Sequence, residues 1–220
     1  MSFSDELAPI TPINFFQITA DCHYLENFSL KTFPSIKTMK GKHIIPDTSA
    51  LCGEKAFAQV AIGWHAEGIE FRVNVHSPFK RARYPEVDRG DSFEVFIDTR
   101  DVKSSGFNTR FCHHFFFLAE AIEGQQAGEI TRFRTEDSHP LCDPNDLKVK
   151  AQSTSSEYTL NIFIPNHCLN GYDPAQFSRL GFSYRINRAD GFPQHFTVVT
   201  EDYQVDQQPS LWGTLRLVKT

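Results

Sequence analysis

Acids, guanidinium groups and amides recur at alternate positions of strand-like segments in this 220-residue chain. In 92–98, Phe93, Val95 and Ile97 point one way, and Ser92, Glu94, Phe96 and Asp98 the other. In 69–76, Arg72, Asn74 and His76 alternate with Phe71, Val73 and Val75; near 180–187, Arg185 and Asn187 alternate with Tyr184 and Ile186. Successive side chains on a strand face opposite ways, so burying the aliphatic positions gathers the polar ones on an outer face. The run Arg110 to Leu118 is apolar on both sides. Turning Phe111, Phe115 and Phe117 to a core leaves Cys112, His114 and Phe116 outward, as Phe163 would also be. Planar donors and acceptors for hydroxyls, with rings for the apolar face of a pyranose, are the groups a sugar site uses. The candidate ligand-binding set is therefore Arg72, Asn74, His76, Glu94, Phe96, Arg110, His114, Phe116, Arg185 and Asn187. Alternatively, the outward rings are simply covered by residues 1–50 or by a second subunit, or the same face is an interaction or assembly surface for another protein chain.

Two metal readings arise. Cys112-His113-His114 offers soft and borderline donors. Adjacent strand residues diverge, however, so at most one of the two histidines joins a distant partner such as His139, Cys142 or His76. The plainer expectation is a buried or face-lining histidine held by a hydrogen bond. Asp88, Asp91 and Asp98, with Glu94 and Asp101 nearby, are hard oxygen donors of the kind calcium takes, without the compact spacing of an EF-hand loop. No other cofactor is expected.

Catalytic signatures are absent from the sequence: it has no GxSxG, GxGxxG, P-loop or HExxH. Glu94 has no evident second carboxylate at its depth, as a glycosidase would need. A nucleophilic Cys112 would depend on a partner brought up in space. The net charge of −5 argues against nucleic acid, and Lys80, Arg81 and Arg83 are followed at once by Glu86, Asp88 and Asp91, as in a solvated loop. Five widely spaced cysteines without a CxxC pair suggest neither a disulfide framework nor a zinc ribbon. There is no apolar run long enough to span a membrane and no basic-then-apolar amino terminus, so a reduced cytoplasmic protein is expected; export without a hydrophobic signal would leave no trace.

The elements that must position these residues are strands. Period-two segments cover 57–63, 69–76, 92–98, 111–119, 129–134, 147–151, 158–164, 180–186, 195–200 and 214–218. Glycine-bearing turns separate them at Gly68, Gly90, Gly106, Gly124, Gly171 and Gly191, where glycine permits positive φ. One short helical turn is expected at 165–170, opened by Pro165. The first 50 residues, punctuated by Pro9, Pro12, Pro34 and Pro46 among pieces such as Ile13-Asn14-Phe15-Phe16, are irregular and read as edge strands or a wrapping segment, not central strands, around a single core at 55–218.

Several segments, in order, resemble the family 9 carbohydrate-binding modules and the related DOMON-like domains. Gly90 to Asp98 is similar to "GDSVEIFID", and Gly68 to Ser77 to the preceding "LYVRFRVDD". Glu157 to Pro165 is similar to "Y-x-x-E-x-x-IP", Leu180 to Arg188 to "IGFNVRVNR", and Trp212 to Leu217 to "FGTLRL". The resemblance implies an all-β, two-sheet antiparallel sandwich of jelly-roll type, without catalysis. It further implies glycan binding on a concave face and, in some relatives, structural calcium. Relatives that hold sugar do so with a pair of exposed tryptophans; here Trp212 falls in the closing motif and Trp64 has no tryptophan partner.

Overall fold

The computed structural model describes residues 17–38, 41–197 and 204–219. Its strands are β1 (Thr19–Tyr24), β2 (Ala58–His65), β3 (Gly68–Val75), β4 (Ser92–Asp98), β5 (Cys112–Ile122) and β6 (Gln125–Glu129). There follow β7 (Lys148–Ser153), β8 (Tyr158–Pro165), β9 (Arg179–Asn187), β10 (Gln194–Phe196) and β11 (Gly213–Val218). The short turn expected behind Pro165 is a 3-10 turn at Asn166–Cys168.

Two strand expectations need correction, and a third is tested only in part. The strand placed at 129–134 lies at Gln125–Glu129, because Glu123 and Gly124, at φ of 51° and 82°, reverse β5 in a tight hairpin. The strand placed at 195–200 is described only as Gln194–Phe196; residues 198–200, like Ile13 to Phe16, lie outside the described residues. The segment read as irregular contains β1, whose Ala20 and Cys22 enter the core between β11 and β2.

The strands form one hydrogen-bonded path, β6-β5-β4-β9-β11-β1-β2-β3-β8-β7, with β10 added beside β9. The all-β expectation stands, but the purely antiparallel two-sheet arrangement does not: β1 runs parallel to both β11 and β2. Parallel neighbours need long connections, and residues 25–57 supply one. The path curls until it is nearly closed. At the seam, β6 and β7 flank a cleft of about 830 Å³ lined by Leu30, Phe33, Gln125, Lys148, Lys150 and Phe163.

Inside lies the core. Phe71 of β3 meets Phe93 of β4 at 5.8 Å and Phe182 of β9 at 6.2 Å between ring centres. These rings are fully buried, each stabilising by about 1.5–3 kcal/mol. The contact also fixes a direction: β3 and β4 face each other across the core, so their outer faces point to opposite sides of the molecule.

The expectation of no disulfide is corrected, since Cys142 and Cys168 are bridged. They are 26 residues apart in sequence and meet only because the 130–147 loop packs on the 3-10 turn after β8. Among the described residues, no helix is long and apolar enough to cross a membrane.

Candidate functional site

The ten expected ligand residues do not form one site. Arg72, Asn74 and His76 lie on the outer face of β3 or at its end, where Arg72 Nη1 donates to Asn161 Oδ1 at 2.8 Å and Thr159 Oγ1 to Asn74 Oδ1 at 3.2 Å. His76 faces Glu157 at 3.6 Å. Arg110 sits in the loop before β5, paired with Asp137. The core separates the β3 group from the β4 face, and Arg110 lies past the Asp98 end of β4, away from Glu94.

On β4 and its two neighbours, alternation and register do bring the other six together. Glu94 stands opposite Arg185 of β9, Ser92 opposite Asn187, and Phe96 opposite His114 of β5. Arg185 donates from Nε to Glu94 Oε1 at 2.8 Å and from Nη2 to Oε2 at 3.0 Å. Asn187 Nδ2 donates to Oε1 at 2.6 Å and to Ser92 Oγ at 2.8 Å, and His114 Nε2 donates to Oε2 at 2.8 Å. Glu94 is 1% exposed. Desolvation would raise its carboxyl, but the hydrogen bond from His114 and the Arg185 guanidinium outweigh burial and hold it far below the usual carboxylate range. The carboxylate is thus permanently ionised at neutral pH and fixes the Arg185 fork in one orientation.

The outward rings are covered by the chain itself. Phe96 packs with Cys112, Val205 and Trp212; Phe116 lies under Tyr84, Ala82 and Val87; Phe163 lies under Phe28 and Phe33. Neither tryptophan is exposed: Trp64 donates to the Val218 carbonyl and Trp212 to the Val205 carbonyl, both buried. Cys112 is buried as well, and burial pushes its thiol up to about 12.

The calcium candidates are not assembled around one point. Asp91 and Asp98 lie at opposite ends of β4, more than roughly 20 Å apart along the strand. Asp91 accepts backbone N–H groups of Lys80, Arg81 and Ala189, and Asp98 those of Arg100 and Val102, so both carboxylates are occupied in holding loops. Gly90, beside Asp91, has an extended φ of −136°. It is glycine for closeness instead: a Cβ there would come within 2.7 Å of the Arg83 backbone nitrogen.

Beside the Glu94 network the surface opens into a recess of about 190 Å³ lined by Asp88, Arg185, Asn187, Arg188, Pro193 and His195. Its floor is the Arg185–Asn187 pair, while His195 is held by Glu54 through Nδ1 at 2.9 Å. Between two lining residues, Gly191 and Pro193, stands Phe192, 86% exposed. Arg185, Asn187 and Glu94 were readable from strand alternation. Alternation does not reveal Phe192 or His195, since one stands in a turn and the other on a three-residue strand, too short for a period to emerge. The turn chemistry of Asp190-Gly191 was the available signal.

A search of curated proteins finds no significant match. Two solved structures, both family 9 carbohydrate-binding modules from Caldicellulosiruptor kristjanssonii, share the fold. One, in complex with cellotriose, has a TM-score of 0.66 at 16% identity, covering 92% of this chain and 95% of that one. The other, in complex with glucose, has a TM-score of 0.57 at 17% identity, covering 74% and 77%. The family model described as carbohydrate family 9 binding domain-like matches residues 31–220, and the chain belongs to that family.

Proposed function

We propose that the chain is a non-catalytic saccharide-binding domain whose ligand occupies the recess beside Glu94, Arg185 and Asn187. The observation that carries the reading is a recess lined by polar groups, with the exposed Phe192 in the turn between two of its lining residues. A ring that flat and open can stack on a pyranose face, while Arg185, Arg188 and Asp88 offer donors and an acceptor to its hydroxyls. Phe192 takes the part that the resemblance gave to exposed tryptophans. Family membership and the sugars bound by the two structural neighbours support a glucose or short β-glucan end as the ligand.

Catalysis is not supported by this chemistry. A glycosidase acid needs a raised carboxyl, whereas Glu94 is held low with donors on both oxygens. Docking of a protein on the same face draws little support either, since the rings that would have carried it are covered by the chain.

Titration calorimetry with glucose and cellotriose tests the proposal. Phe192→Ala should weaken binding by about 5- to 10-fold without shifting the melting temperature, because the ring is nearly free of contacts. If a panel of saccharides gives no heat with the wild-type chain, the function is wrong. If binding survives Phe192→Ala and Arg185→Ala but is lost with Phe33→Ala, the ligand sits in the seam cleft and the placement is wrong.

A further inference from the structure

At the end of the sheet where β5 begins and β6 stops, three titratable side chains converge that take no part in the recess. His113 shares the inward parity of Phe115 and Phe117 and is fully buried. Glu129, the last residue of β6, stands opposite Phe115. His139 comes from the 130–147 loop, its ring 4.3 Å from that of His113 between centres. Glu129 Oε1 lies 2.8 Å from His113 Nδ1 and 2.9 Å from His139 Nε2, and accepts the Thr131 hydroxyl at 2.7 Å. One ligand atom from each of the three residues falls within 4.8 Å of the others.

A second observation concerns the far sides of the rings. His139 Nδ1 lies 2.7 Å from the Arg110 carbonyl oxygen and therefore carries a proton. On a neutral ring Nε2 is then a lone pair, yet it is aimed at a carboxylate oxygen. Two acceptors flank one imidazole, and a cation between Nε2 and Oε1 would satisfy both. His113 Nε2 is buried without a hydrogen-bond partner. Imidazoles that bind a metal through one nitrogen characteristically turn the other toward a backbone carbonyl or carboxylate.

We propose that His113 Nδ1, His139 Nε2 and Glu129 Oε1 form a site for a zinc-class divalent ion. Two imidazoles and one carboxylate suit borderline metals, and calcium, which takes hard oxygens, would not select them. Ligand bonds of about 2.0–2.1 Å separate neighbouring donors by about 3.3 Å in a tetrahedron, so the two nitrogen–oxygen pairs, now at 2.8 and 2.9 Å, need open only by about half an ångström. Bound there, the ion fastens the 130–147 loop to β5 and β6. The neighbouring group of Asp146, His167 and Cys168 offers no comparable site, because the Cys168 sulfur is committed to the bridge.

The test uses the full chain, treated with chelator and kept oxidised. Calorimetry with Zn²⁺ should show one equivalent bound, and free zinc at about 100 times its Kd should raise the melting temperature by about 5 °C. His139→Ala should weaken binding by about 100-fold, while His167→Ala should bind as wild type. Zinc K-edge absorption on the wild-type complex should report two imidazole ligands, a readout that does not depend on any variant folding. Absence of stoichiometric binding, binding that survives His139→Ala, or fewer than two imidazoles would each overturn the proposal.

Discussion

Glu94 carries a charge in a place where water cannot reach it, and its four donors decide what that costs. Replacing it by glutamine leaves the partly buried Arg185 guanidinium without its counter-charge, which should destabilise the fold by about 3 kcal/mol at neutral pH. The pH dependence has a definite sign. Its folded carboxyl is depressed, so the stability it contributes is fully present above the unfolded value near about 4.3 and is lost as pH falls toward the folded one. Melting temperatures of wild type and Glu94→Gln, compared from neutral pH into acid, should therefore differ by a constant amount down to about pH 5 and converge below about pH 4. A gap that persists into strong acid would mean the carboxylate is not the group at work. Glu94, Arg185 and Asn187 were legible in the sequence because each sits at a polar position of an alternating strand. That Arg72 and Asn74 lie elsewhere was not legible, since alternation gives a residue's face but not which wall of the curled sheet that face belongs to.

Strand β1 shows what period-two reading misses. Thr19 to Tyr24 buries only Ala20 and Cys22 as small inward residues, and no glycine turn announces it, so the segment looks irregular. Its place is fixed by pairing on both sides and by the chain that follows it. Leu25 donates its N–H to the Trp64 carbonyl and lays its side chain over Gly63 of β2. A Cβ on Gly63 would stand 2.4 Å from Leu25 Cδ2, so Gly63→Ala must displace a buried leucine. The expected cost is about 1–3 kcal/mol by urea denaturation. Combined with Leu25→Ala, which vacates the space, the glycine substitution should add little, giving a coupling energy of about 1 kcal/mol or more. Additive losses would show that the two elements are not packed on each other. Strands with long alternating runs, β3, β4, β8 and β9, were placed from sequence nearly to the residue, because a buried face on one side leaves no other register.

At the scale of the whole molecule, the open question is what holds a nearly closed sheet at its seam. The β6 and β7 edges do not pair, and the long loop between them must be kept in place by something other than ladder hydrogen bonds. The Cys142–Cys168 bridge does this covalently, tying the loop before β7 to the turn after β8. Cys142 is further bound to the inner end of β6, donating its backbone N–H to Glu129 Oε2 at 2.8 Å. Neither link follows from cysteine spacing, since the partners are brought together only by the curl. Closing a loop of 26 residues in the unfolded chain removes entropy equivalent to about 3.5 kcal/mol. For a chain of this length that corresponds to about 10 °C in melting temperature. Cys168→Ser, or reduction of the wild-type protein, should therefore lower the midpoint by that order, and reduction should leave the Cys168→Ser variant where it was. Since the bridge is remote from Phe192 and Arg185, the reduced protein should still take up saccharide well below its midpoint. A midpoint indifferent to reductant would leave the seam to be held by packing alone, with Phe117, Ala127 and Leu147 as the residues to test next.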